Sequence, residues 1–144
     1  MSLKIMIDTS VLGRICHPTE HSDVQEWFRS LLEQGSHVSE VLVSVLADYE
    51  LRRHLLKMGA VESLRRLDDL AQCLRYVPVT AEAGRRAAEL RQAMATQGMP
   101  GVSDAGLLMA AQAMIENAVL ITNDRTTARI PGVQARDWTD VASR

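Results

Sequence analysis

Four short stretches set acidic residues beside apolar sequence: Ile7-Asp8-Thr9-Ser10, Asp48-Tyr49-Glu50-Leu51, Ser103-Asp104-Ala105-Gly106 and Ile121-Thr122-Asn123-Asp124. Carboxylates within a few ångströms of one another raise each other's pKa, and such a cluster persists only when a cation neutralises it. No Cys/His ligand set accompanies these acids, so the matching ion is hard and oxygen-seeking, Mg²⁺ or Mn²⁺. Water activated by such an ion attacks a phosphodiester, and a second ion about 3.5–4 Å away stabilises the leaving oxygen. Metal-dependent nuclease chemistry is therefore expected if Asp8, Glu50, Asp104 and Asp124 converge. Each acid also has a plainer role. Asp8 is equally placed to cap a helix, Asp104 would favour a helix dipole, and Glu50 with His54 at i, i+4 is too small a metal set alone.

The elements that must position these residues follow from hydrophobic periodicity. Ile5, Met6 and Ile7 read as a strand buried on both faces, with Asp8 where a parallel strand would leave its sheet. Thr9 or Ser10 would cap a helix over 11–16, interrupted by His17-Pro18. A second helix is expected from Thr19, with Val24, Trp27, Phe28, Leu31 and Leu32 on one stripe and Gly35 at its end. A strand at 41–44 leads into a helix over 45–58 that stops at Gly59. There Leu46, Tyr49 and Glu50 share a patch, so Glu50 lies beside apolar residues and Asp48 points elsewhere. A helix over 60–74, a strand at 75–79 and a helix over 81–96 precede the turn Gly98-Met99-Pro100-Gly101. Ser103 would cap a helix to about 117 whose apolar stripe is Leu107, Leu108, Ala111 and Met114 or Ile115. Extended backwards, that stripe gives Asp104 a core-facing place. A strand at 118–121, a short helix over 125–129 and an edge strand at 133–135 complete the pattern.

Strands alternating with helices predict an α/β fold with a mostly parallel sheet of four to five strands. Right-handed crossovers then bring the carboxyl ends of the strands to one edge. Asp8 and Asp124 leave strands there, Glu50 lies in the second turn of the next helix, and Asp104 opens a helix packed on the sheet.

The 144 residues, 47% hydrophobic and only 3% aromatic, suit a single domain over 1–144 with an aliphatic core. A net charge of −2 argues against a protein whose main work is coating nucleic acid, but not against an enzyme that engages RNA at a metal-loaded site. Cys16 and Cys73 lack metal-ligand spacing, and a reduced, cytoplasmic setting is expected. No signal-peptide pattern and no membrane-spanning apolar run is expected either.

These motifs together resemble the PIN domain and, within it, the VapC-type toxin ribonucleases of bacterial type II toxin–antitoxin pairs. The matching pieces are Ile7-Asp8-Thr9-Ser10; Val43-Ser44 with Ala47-Asp48-Tyr49-Glu50-Leu51-Arg52; Ser103-Asp104-Ala105-Gly106-Leu107-Leu108-Met109-Ala110-Ala111; and Leu120-Ile121-Thr122-Asn123-Asp124. Their order and spacing extend over nearly the whole chain. The resemblance implies a three-layer α/β/α sandwich and a Mg²⁺- or Mn²⁺-dependent endoribonuclease. It implies Asp8, Glu50, Asp104 and Asp124 as the catalytic acids, with Asp8, Asp104 and Asp124 on the metal and Glu50 positioning a ligand or activating water. Asn123 could share or take the place of Asp124. Ser10 and Thr122 would support the site, and Gly106 stands where the family more usually has a bulkier residue. An RNA substrate, a small antitoxin that blocks the site and a homodimer are also implied, without membrane association. Arg52, Arg53 and Lys57, with His54, Arg65 and Arg66 nearby, would contact RNA phosphate or antitoxin acids, unless they form an ordinary solvated helix face.

Three alternatives stand beside this reading. One is a PIN-domain nuclease of RNA processing with no toxin role. Another is a non-catalytic PIN-like domain that binds partners. The third is a phosphotransfer enzyme using Asp8 as nucleophile, which the Ser at position 10 disfavours because such enzymes usually carry a second Asp there.

Overall fold

The computed structural model describes residues 2–99 and 101–141; Pro100 of the expected turn lies outside them. Five parallel strands form one sheet in the order β3-β2-β1-β4-β5: β1 (Leu3–Ile7), β2 (Val38–Ser44), β3 (Arg75–Val77), β4 (Val119–Ile121) and β5 (Ala135–Arg136). Strand β1 is central, with Ile5 opposite Val41 and Val119, and Ile7 opposite Val43 and Ile121. Successive strand side chains point to opposite faces. Ile5 and Ile7 accordingly join one apolar cluster and Met6 another. Both faces are covered, which is why β1 is a continuous apolar run.

The first face carries α1 (Thr9–Cys16), α2 (Ser22–Leu31), α3 (Val45–Met58) and α4 (Val61–Cys73). The other carries α6 (Asp104–Glu116), with α5 (Ala81–Thr96) packed on it. The result is the expected three-layer α/β/α arrangement. A short α7 (Arg125–Ala128) and a 3₁₀ turn (Trp138–Asp140) complete it. No helix among the described residues is long and apolar enough to cross a membrane.

Several boundaries differ from expectation for local reasons. Asp8 itself caps α1, accepting from the Val11 amide, where Thr9 or Ser10 was expected. Helix α2 starts at Ser22 rather than Thr19, because the His17 ring accepts from the amides of Thr19 and Glu20 and holds them in a turn. That helix ends at Leu31, before Gly35. Strand β2 starts earlier, at Val38, β3 stops before Pro78, which has no N–H for a ladder, and β5 falls on Ala135–Arg136. Helix α3 ends as expected on Gly59, whose φ of 65° is left-handed.

Two polar assemblies lock the layers together. Buried Ser44 caps α3 and donates to Gln112 Oε1 at 2.6 Å, while Gln112 Nε2 donates to the Val77 and Pro78 carbonyls at 3.1 Å each. This ties β2, β3 and α6. Across the other face, Asp48 accepts from Arg52 Nε at 2.8 Å and from the Tyr76 hydroxyl, and Arg52 reaches Asp68 on α4 at 2.7 Å. Burial opposes ionisation of Asp48, but the hydrogen bonds from Arg52 and Tyr76 and the Arg52 charge outweigh it and hold its carboxyl below the usual range. Arg52 is thereby committed to structure.

Asp48→Asn should cost about 1–3 kcal/mol in urea unfolding at neutral pH. The folded carboxyl is the more acidic, so its contribution is full above the ordinary value of 3.8 and is lost as pH falls through the folded value. The stability gap between native and variant should therefore close on acidification, and a gap that stays constant would assign the loss to packing.

Candidate active site

Strand order reverses on either side of β1, since the chain runs outward through β2 and β3 and then returns to place β4 on the opposite flank. At such a switch point the connections after neighbouring strands diverge and leave a crevice at their carboxyl ends. A cleft of about 370 Å³ opens there, with Leu120 and Met109 among its lining residues. Asp8 after β1, Asp124 beyond β4 and Glu50 in the second turn of α3 all line it, together with the hydroxyl residues Thr9, Ser10, Ser103, Thr126 and Thr127. None of the residues found to line it is basic.

Each acid is held by neutral donors. Asp8 Oδ1 accepts from the Val11 amide at 3.1 Å and from Ser10 Oγ at 3.2 Å. Burial pushes the Asp8 carboxyl up; hydrogen bonds from Thr122, Val11 and Ser10 pull against it, and the Asp124 charge adds to the rise. The net direction is upward, because burial outweighs the hydrogen bonds. Glu50 Oε1 accepts from Thr9 Oγ1 at 2.7 Å, leaving Oε2 free of that contact. Asp124 caps α7 by accepting from the Thr126 amide at 2.8 Å, and its own amide donates to Thr122 Oγ1 at 3.0 Å. Buried Thr122 therefore contacts both Asp8 and Asp124.

The other sequence candidates lie elsewhere. Asp104 does not line the cleft; its side chain is 92% exposed and accepts from Arg91 Nη2 at 2.8 Å. Its expected core-facing place is a correction. The sheet-facing stripe of α6 is Ala105, Met109 and Gln112, and polar Gln112 hides it from a hydropathy reading. Asn123 also faces away. With its amide oriented by its neighbours, it donates to Asp137 Oδ2 at 2.9 Å and accepts from Arg14 Nη1 at 2.6 Å. Arg53 and Lys57 are exposed on α3, Arg53 lying 5.8 Å from the centre of the Tyr49 ring, and neither they nor Arg52 line the cleft. Thr9 was expected only as a cap, and its role as the support of Glu50 joins residues 41 positions apart, beyond any local pattern.

The donor set is all oxygen, anionic and without a lining cation, which fits Mg²⁺ or Mn²⁺. Among the described residues no three acids, histidines or cysteines are grouped closely enough to cage an ion. The set would suit an ion that keeps most of its water, which Asp8 and Asp124 could hold, with Glu50 also lining the cleft.

The PIN domain family model matches residues 5–133. Among solved structures, a chain of VapBC2 from Rickettsia felis, bound to a DNA fragment from its promoter, superposes with a TM-score of 0.77 at 21% identity, covering 94% of this chain and 99% of that one. A chain of DNA-bound VapBC from Salmonella typhimurium gives 0.77 at 22%, covering 94% and 98%. A chain of VapBC-5 from Mycobacterium tuberculosis, a member of the VapBC family of toxin–antitoxin systems, gives 0.64 at 23%, covering 93% and 96%. No curated protein sequence matches.

Asp8→Asn keeps a capping side chain, since Asn caps about as well as Asp, and removes a charge that burial disfavours. A carboxyl whose folded pKa is raised costs stability as pH rises through that value and costs nothing below the unfolded one. The variant should therefore melt a few degrees above the native chain at neutral pH without divalent ions, and the two should converge below about pH 3. Equal or lower melting of Asp8→Asn at neutral pH would contradict this account of the cleft.

Proposed function

The chain belongs to the PIN domain family, and from that premise we propose that it is a Mg²⁺- or Mn²⁺-dependent endoribonuclease acting as the toxin of a toxin–antitoxin pair. The observation that carries the reading is the convergence of Asp8, Glu50 and Asp124 on a switch-point cleft with no basic residue found in its lining. The ion, when bound, supplies activation of water and neutralisation of phosphate charge. Asp8 and Asp124 would hold it, and Thr122 bonds the Asp8 side chain and the Asp124 backbone amide, which ties the two strand exits together. Thr9 fixes Glu50 through Oε1, so that Oε2 takes the proton of the attacking water. The water oxygen bonds to phosphorus as the ester P–O bond breaks, and the leaving ribose oxygen takes a proton from solvent, to which Glu50 gives up the one it received. Ser10, Ser103 and Thr126 offer hydroxyls to the RNA backbone along the cleft.

The toxin assignment is supported by end-to-end likeness in fold to chains of VapBC complexes. For the antitoxin, Ile15, Phe28, Leu32 and Leu70 offer an apolar groove flanked by Arg29 and Arg66, suited to an amphipathic helix with acidic edges. Exposed Arg53 and Lys57 add a basic surface for the same partner or for RNA. The reading includes a homodimer and a cytoplasmic location.

Purified protein should cleave single-stranded RNA in Mg²⁺ or Mn²⁺ and lose the activity in EDTA. Asp8→Asn and Glu50→Gln should each lower kcat by roughly 10²-fold or more. Thr9→Val should lower kcat by about tenfold with little change in KM, as expected when a transition-state contact alone is misplaced. Undiminished cleavage by folded Asp8→Asn would overturn the mechanism.

A further inference from the structure

Asp104 and Gly106 are two residues apart at the start of α6, and each residue turns a helix by about 100°. Their side-chain directions therefore differ by about 160° around the axis, and one rotation of α6 cannot aim both at the cleft. That rotation is fixed. Gln112, only 2% exposed, is held by Ser44 and by the Val77 and Pro78 carbonyls. With Gln112 on the sheet, Ser103, Gly106 and Met109, spaced three apart along one side of the helix, line the cleft. Asp104 is carried to the solvent side, where it meets Arg91 of α5. A side chain at Gly106 would also displace its neighbours: a Cβ there would stand 2.7 Å from Val102 Cγ1 and 3.2 Å from Ser103 Oγ. The wall of the cleft on this side is the Gly106 backbone, the Ser103 hydroxyl and the apolar Val102 and Met109, without a carboxylate.

We infer that Asp104 is not a ligand of the divalent ion and that this chain offers Asp8 and Asp124 to hold it, with Glu50 lining the same cleft, while Gly106 occupies the wall from which α6 would otherwise offer a further carboxylate. The inference rests on the metal-dependent reading of the cleft and specifies its ligand set. Asp104 acts as an exposed strut between α5 and α6 through Arg91. Bringing it into the cleft would require turning α6 by about 160° and breaking every hydrogen bond of Gln112.

Mn²⁺ titration followed by electron paramagnetic resonance, on the full chain without RNA at about 0.15 M salt, separates the possibilities. Asp104→Asn should bind Mn²⁺ within about twofold of the native chain, since an exposed charge is screened. Asp8→Asn should bind at least about tenfold more weakly. Asp104 is exposed, so its variant should fold, and its melting curve checks this. A loss in Asp104→Asn equal to that in Asp8→Asn would overturn the inference while leaving the metal site standing. Unweakened binding by Asp8→Asn would remove the metal reading itself, and the inference with it.

Discussion

The structure depends on the fact that every strand of a parallel sheet ends at the same edge, and on the reversal of strand order at β1. The sheet interior is apolar on both faces, so the chain can become polar only where it leaves. At β1 that residue is Asp8, which follows the fully buried Ile5-Met6-Ile7 run. At β4 it is Thr122, with Asp124 two residues on. Because β1 and β4 are neighbours, the two exits share one crevice, and carboxylates 116 positions apart in the numbering of the chain influence one another electrostatically. The acid site is thus a consequence of topology, with side-chain hydrogen bonds supplying the fine adjustment.

That adjustment comes from small polar residues rather than from charge. Thr9 restrains Glu50, Thr122 touches both aspartates, and Ser10 adds a hydroxyl to Asp8. Four of these acids or hydroxyls also serve helix formation or lie in a first turn: Asp8 caps α1, Asp124 caps α7, and Thr9 and Ser10 open α1. Capping and ligation are compatible because a carboxylate has two oxygens and several lone pairs. One oxygen can fix the backbone while the other faces the cleft.

Much of this was legible in sequence, for identifiable reasons. The runs Ile5-Met6-Ile7 and Ala118-Val119-Leu120-Ile121 announce buried strands, and Gly59 and Ser103 mark helix ends through their ordinary capping chemistry. What failed was a face. Leu107, Leu108 and Ala111 seemed by hydropathy to define the inward side of α6, but that helix has two packed sides. Leu107 and Ala111 meet α5, whereas Met109 and Gln112 meet the sheet region. A polar residue satisfied by three distant partners has no signature in a periodicity, so Asp104 was assigned the wrong direction. The partners of Asn123 and Arg52 are equally invisible in sequence, since Asp137, Arg14, Asp48 and Asp68 meet them only once the chain is folded.

The distribution of arginine separates structural acids from the acids of the cleft. Asp48 and Asp68 share Arg52, Glu40 and Glu116 share Arg75, Glu62 is met by Arg65 and Arg66, and Asp104 by Arg91. Most of these pairs are exposed, and such pairs contribute little to stability. Their effect is on charge: they neutralise acids that lie away from the cleft. Asp8, Glu50 and Asp124 instead have hydroxyls and amides, which orient a carboxylate without neutralising it. An arginine in the same place would lower the Asp8 pKa and fill the cation's position with a fixed charge. Neutral donors leave the negative field of the cleft available to a mobile ion, while burial, with a smaller push from the Asp124 charge, raises the Asp8 carboxyl. By this criterion Asp104, neutralised by Arg91 at the α5–α6 seam, belongs with the structural acids.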